Sequence, residues 1–131
     1  MRLFPPFWDG FDQATLNDMP QVLREGYLTA NNNPEALMNM FRKDVQRMKT
    51  FKGWSDGQIK EIKAPALVIN SSKDVGSLEH AVEMYRTIPN CELAIFPGAH
   101  GAYLGAIESL DNGNWTKFNA TDLIEEFLDK A

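Results

Sequence analysis

The sequence predicts an α/β fold: a helical opening stretch, a short parallel sheet laid down as strand, helix, strand, and a closing helix. Two observations carry this. Apolar residues recur at helical spacing as far as Phe51. Two short continuous apolar runs then follow, Ala66 to Ile69 and Leu93 to Phe96, with one amphipathic segment between them, all within about thirty residues. Strand, helix, strand in so short a span is a βαβ unit, whose strands are parallel and whose crossover is right-handed.

The first helix is expected to start around Asn17 and Asp18 with Pro20 in its first turn, to carry Leu23, Tyr27 and Ala30 on one face, and to end at Asn31–Asn33. The second takes Asn33 as its N-cap and Pro34 as its first residue. It aligns Leu37, Phe41, Val45, Met48 and Phe51 in one stripe, with Arg42, Lys43, Asp44 and Arg47 mostly elsewhere, and Gly53 stops it. A short helical turn through Ile59 and Ile62 leads to Pro65. Ala66 to Ile69, followed by polar Asn70, Ser71 and Ser72, suits a strand covered on both faces. Ser77 caps the crossover helix, with Glu79 in its first turn and Ala81, Met84, Tyr85 and Ile88 on its buried side; Pro89 and Asn90 end it. The second strand, Leu93 to Phe96, is closed by Pro97 and Gly98. Beyond His100 a helical turn from Tyr103 to Ile107 and a tight turn at Asp111–Asn114 are expected. Asn119 and Asp122 then cap a final helix with Leu123, Ile124, Phe127 and Leu128 on one face. The chain is expected to form a single compact unit of two parts, a helical region over 1–53 and an α/β region over 54–131.

Composition narrows the function. With 13 basic against 18 acidic residues in 131 and a net charge of −5, the chain has no excess positive charge to neutralise a phosphate backbone, which argues against a nucleic-acid partner. The opening MRLFPPFWDG breaks its apolar content with prolines and an aspartate, so it does not read as a signal peptide. No apolar run is long enough to span a bilayer. The single Cys91 has no partner for an internal disulfide, so a soluble, cytoplasmic protein with a buried thiol is expected. On that expectation the sequons at Asn70, Asn114 and Asn119 are chance matches. Two histidines and one cysteine without close spacing make no metal site, and no cofactor motif is present.

The residues that carry chemistry are Asp74 and His100. In a parallel βαβ unit the loops after both strands emerge at the same, carboxyl, edge, and neighbouring strands lie about 4.8 Å apart. Asp74 follows the first strand and His100 the second, so a carboxylate can reach Nδ1 of the imidazole. That contact fixes the tautomer and leaves Nε2 as a general base. Gly98 and Gly101 flank the histidine and allow a sharp loop to aim it. His80, on the crossover helix, reads as a surface or packing residue.

Three stretches then bring a family into view: Ile62 to Asp74 (IKAPALVINSSKD), Glu79 to Pro89 (EHAVEMYRTIP) and Leu93 to Gly101 (LAIFPGAHG). Together they resemble the last two strands of α/β-hydrolase-fold enzymes. The resemblance is specific from about Trp54 to Ala106, and the segment from Asn119 to Lys130 fits the family's final helix. Residues 1–53 resemble, more weakly, the helical lid inserted before these strands. The resemblance implies that Asp74 is the acid and His100 the base of a Ser-Asp-His triad acting on an ester or other acyl bond of a small apolar substrate.

The family's serine sits on a G-x-S-x-G elbow between a buried strand and a long helix. Gly53-Trp54-Ser55-Asp56-Gly57 has that pattern, and the order Ser55, Asp74, His100 is the family's. Its context is wrong: an amphipathic helix precedes it and only a short turn follows. Ser71, Ser72, Ser77 and Ser109 are no better placed, and the oxyanion hole has no counterpart. The expectation is therefore a hydrolase-like chain that holds the acid and the base without the nucleophile and is inactive alone. The alternative is a non-catalytic association or binding domain. Two strands leave open edges, so a homodimer or a complex with a separate N-terminal half is expected. The aromatic and methionine residues Phe4, Phe7, Trp8, Phe11, Met38, Met40, Phe41 and Met48 either line an apolar substrate pocket or form helix core.

Overall fold

The computed structural model describes residues 10–106 and 119–130. These residues divide into two compact units, 10–52 and 53–106 with 119–130. The tight turn expected at Asp111–Asn114, with Ile107 and Ser109, lies outside the described residues, as do Phe4, Phe7 and Trp8.

The first unit is helical. It opens with a single 3-10 turn, Leu16–Asp18, separate from the helix that follows. Thr15 closes this turn: its backbone N–H and its hydroxyl both donate to Asp18 Oδ2, at 2.7 and 2.8 Å. The Thr15 N–H is also the main reason the Asp18 carboxyl is held below its ordinary range. Helix α1 is Gln21–Ala30, with Pro20 as its N-cap in extended backbone. This corrects the expected start at Asn17, for local bonding from Thr15 diverts Asn17 and Asp18 into their own turn. Helix α2, Pro34–Thr50, begins as expected, with Asn33 Oδ1 accepting from Ala36 N at 3.0 Å and Pro34 in the first turn. Glu35 near its start and Arg47 and Lys49 near its end complement the helix dipole. Leu37 is its buried residue, and Phe41, Val45 and Met48 are half-buried. Phe51 is the C-cap in extended backbone, so it leaves the stripe.

The second unit is a mixed α/β arrangement around a two-stranded parallel sheet. Helix α3, Asp56–Lys60, is one short turn. Strand β1, Ala66–Lys73, is followed by helix α4, Leu78–Thr87, and strand β2, Cys91–Ala99. A 3-10 turn, Ala102–Leu104, leads out of the sheet, and helix α5, Thr121–Lys130, closes the unit. The strands pair in parallel from Ala66↔Cys91 to Ser71↔Phe96, and the register slips by one residue before Lys73↔Ala99.

Both strands are longer than the apolar runs predict. On β1 the polar residues Asn70 and Ser71 are buried inside the ladder, at 8 and 0% exposure. The loop beyond supplies their partners: Asn70 Nδ2 donates to Gly76 O at 3.0 Å, and Asp74 Oδ2 accepts from Ser71 N at 3.3 Å. On β2, Pro97 and Gly98 stay within the strand. Proline has no N–H for the ladder, and the register slip falls beside it; Gly98 N then donates to Ser72 Oγ at 3.3 Å.

Helix α4 packs on both strands and buries Ala81; Ile88 is buried just past it, as the C-cap in extended backbone and not on the helix as expected. Ser77 Oγ caps the start by accepting from His80 N at 3.2 Å. Full burial of a side chain such as Ile88 stabilises by roughly 1.5–3 kcal/mol. Tyr85, expected inside, is 44% exposed; it stands one residue past Met84, at the margin of the stripe. Coverage is also uneven on the sheet. Residues Ala66 to Ile69 are half-buried, but on β2 Glu92, Ile95 and Pro97 are exposed. At the end of the unit Ala120 is fully buried and donates its N–H to Tyr103 O at 2.8 Å, which ties α5 to the turn after β2. Asn119 Oδ1 accepts from Thr121 N at 3.0 Å, and Leu128 lies outside the covered face at 64% exposure.

Candidate functional site

The loop after β1 is built around the carboxylate of Asp74. Its Oδ2 accepts from Ser71 N at 3.3 Å, its Oδ1 accepts from Gly76 N at 3.4 Å, and its own N–H donates to Ser71 O at 3.3 Å. An aspartate that bonds nearby backbone N–H groups is a common turn device. Here it also places the side chain, which is only 4% exposed although it belongs to a loop.

The loop after β2 turns back through two glycines. Gly98 has φ +122° and Gly101 φ +68°, both values that side-chain-bearing residues rarely adopt. A Cβ at Gly101 would stand 2.6 Å from Ala106 Cβ. The chain therefore needs glycine there both for the backbone angle and for space. This turn brings His100 over the end of β1, and its Nδ1 lies 2.6 Å from Asp74 Oδ1.

The geometry sets the proton positions. An ionised carboxylate only accepts, so Nδ1 carries the hydrogen and Nε2 carries the lone pair. The acid is buried and held at three points, whereas the imidazole side chain is 58% exposed. Such a pair can take a proton at Nε2 and stabilise the resulting imidazolium through Asp74.

Tyr103 belongs to the same neighbourhood and was not singled out by sequence reasoning. Its ring stacks on Phe96, with centroids 5.6 Å apart and planes 23° from parallel. Phe96 in turn is in register with Ser71, whose N–H holds Asp74. Burial pushes the Tyr103 hydroxyl above its ordinary value, and the negative charge of Asp74 adds to this. The available signal was an aromatic three residues past a glycine-flanked histidine.

Most of the described serines have structural employment. Ser55 is the N-cap of α3: its hydroxyl donates to Gln58 Oε1 at 2.9 Å and accepts from Gln58 N at 3.3 Å. The G-x-S-x-G pattern is thus a capping box, and the element directly before it is helix α2, not a strand. Ser72 receives Gly98 N, Ser77 caps α4, and Ser71 is wholly buried with its Oγ unpartnered.

Cys91 is half-buried, and burial pushes its thiol up. Among the described residues no group of three His, Cys, Asp or Glu side chains could hold a metal ion. No described helix is long and apolar enough to cross a membrane. His80 stands on α4 with Nδ1 3.7 Å from Glu83 Oε2. No protein family model, curated protein or solved structure matches the chain.

Proposed function

We propose that this chain is a hydrolase-like protein of α/β-hydrolase type that contributes the acid and the base of a Ser-Asp-His triad. The observation that carries the reading is the 2.6 Å contact between buried Asp74 and exposed His100 at the carboxyl edge of a parallel strand pair. His100 takes the proton of an attacking hydroxyl through Nε2, Asp74 stabilises the imidazolium, and the proton then passes to the leaving group. An ester or other acyl bond of a small apolar substrate is the target. The nucleophile and the oxyanion hole come from outside the described residues, on a partner chain or another segment. Residues 1–53 correspond by resemblance to the family's lid segment, and the free cysteine suits a cytoplasmic setting.

Supplying the absent hydroxyl as a dissolved small alcohol tests this. With an activated acyl ester, the chain is expected to catalyse ester exchange that falls at least about tenfold in His100→Gln and in Asp74→Asn and is unchanged in Ser55→Ala. Equal rates in wild type and His100→Gln would overturn the proposal, and loss of turnover in Ser55→Ala would make Ser55 the nucleophile.

A second reading, an association domain that keeps the fold without the chemistry, is favoured by the sheet itself. Each of its two strands has one edge unpaired among the described residues, and Ile95 and Leu104 are 42 and 61% exposed. A homodimer, or a complex with a chain that adds strands, is expected in sedimentation at micromolar concentration. A monodisperse monomer there would count against it.

A further inference from the structure

We infer that the cavity between α3 and α4 is a binding site for a small neutral aromatic alcohol. Its volume is about 470 Å³, and it is lined by Trp54, Gln58, Ile59, Ile62, His80 and Met84. Cavities of roughly 300–1,000 Å³ with apolar walls and a few polar groups are the usual form of small-molecule sites. None of these six residues takes part in the Asp74–His100 contact.

The lining selects the ligand class by elimination. It contains no Lys, Arg, Asp or Glu, so a charged ligand would be desolvated there without a fixed counter-charge. Its walls are an indole, a thioether and two isoleucines, which suit the flat face and edge of an aromatic ring.

Two polar side chains belong to the lining. Gln58 uses Oε1 on Ser55, accepting from its N–H at 3.0 Å and its hydroxyl at 2.9 Å. The amide N–H donors of this exposed side chain have no protein partner among the described residues, so they face water that a ligand would displace. On His80, Nδ1 is buried without a hydrogen bond, 3.7 Å from the Glu83 carboxylate. That carboxylate favours the hydrogen on Nδ1, so Nε2 presents its lone pair. Among the described residues the His80 ring makes no hydrogen bond, and Nε2 is its accessible nitrogen. An amide donor and an imidazole acceptor together match one hydroxyl, which accepts from the first and donates to the second. A hydrocarbon of the same shape would displace the water on both groups and offer neither a partner.

The test uses the full chain, labelled with ¹⁵N, titrated with 4-ethylphenol and with its methyl ether, 4-ethylanisole. The phenol is expected to shift the Trp54 indole and the His80 Nε2 resonances together, and the ether to bind about tenfold more weakly. His80→Phe keeps a flat ring and is expected to bring the two ligands to equal affinity, and Trp54→Ala to weaken both. Equal affinity of phenol and ether for the wild-type chain would overturn the proposal. So would saturation that leaves Trp54 and His80 unmoved.

Discussion

Two acid–imidazole pairs stand in the same α/β unit, and they are built in opposite ways. In the Asp74–His100 pair the acid is 4% exposed, the imidazole 58%, and the contact is 2.6 Å across two loops. In the Glu83–His80 pair the acid is 42% exposed, the imidazole 20%, and the gap is 3.7 Å along one turn of α4. The first arrangement shields the carboxylate and leaves the imidazole open to solvent, which is what the proposed acid and base roles require. The second half-buries the imidazole and leaves the acid the more exposed partner, where a long contact is worth little. The two pairs thus differ in which partner is dry as well as in how close they stand.

Removing each acid should therefore have unequal consequences. Asp74 accepts from two backbone N–H groups as well as from His100, so Asp74→Ala strips three donors of their partner at once. A loss of about 3 kcal/mol in urea-induced unfolding is expected, together with disappearance of the His100 Nδ1 proton signal in NMR. Glu83→Ala, at a side chain 42% exposed, is expected to stay within about 0.5 kcal/mol of wild type. Comparable losses from the two substitutions would erase the distinction.

The same contrast explains what the residues disclosed in advance. The sheet, its crossover helix and the Asp74–His100 meeting were legible because each rests on a local rule: apolar runs, a Ser77 cap and loops that share one edge. Strand ends were not. Asn70 and Ser71 look like loop residues, yet Asp74 and Asn70 itself satisfy the backbone on either side and let the ladder run on. Similarly, the start of α1 was misplaced because Thr15 and Asp18 close a separate turn. Tyr103 escaped notice because its place depends on stacking with Phe96, a contact that no spacing rule announces.

The aim of His100 depends on backbone more than on side chains. Gly101→Ala forces a Cβ to 2.6 Å from Ala106 and holds an L-residue at φ +68°. A cost of about 2 kcal/mol is expected, and the Nδ1 proton signal should broaden or vanish as the imidazole swings off Asp74. Gly26, inside α1 with open space around its Cβ position, is the control. There the same change is expected to stabilise by about 1 kcal/mol and to leave that signal alone. An intact signal in Gly101→Ala would mean that the glycine turn does not aim the histidine.

The smallest effect separates the dryness around Asp74 from its charge, with Tyr103 as the reporter. Burial raises the phenol first and the Asp74 charge second, so Asp74→Asn is expected to lower the Tyr103 titration only in part, as read by ultraviolet absorbance. The sign for stability follows from the raised value. Folded and unfolded states hold the phenolic proton equally below the unfolded value near 10. Above it the unfolded chain ionises more readily, so stability is lost as pH rises through the folded value. Tyr103→Phe should remove this alkaline loss and, because the ring still stacks on Phe96, leave unfolding at neutral pH within about 0.5 kcal/mol. If Asp74→Asn returned Tyr103 fully to the ordinary tyrosine range, charge and not burial would govern this side of the site, and the contrast with the solvent-facing Glu83 would rest on distance alone.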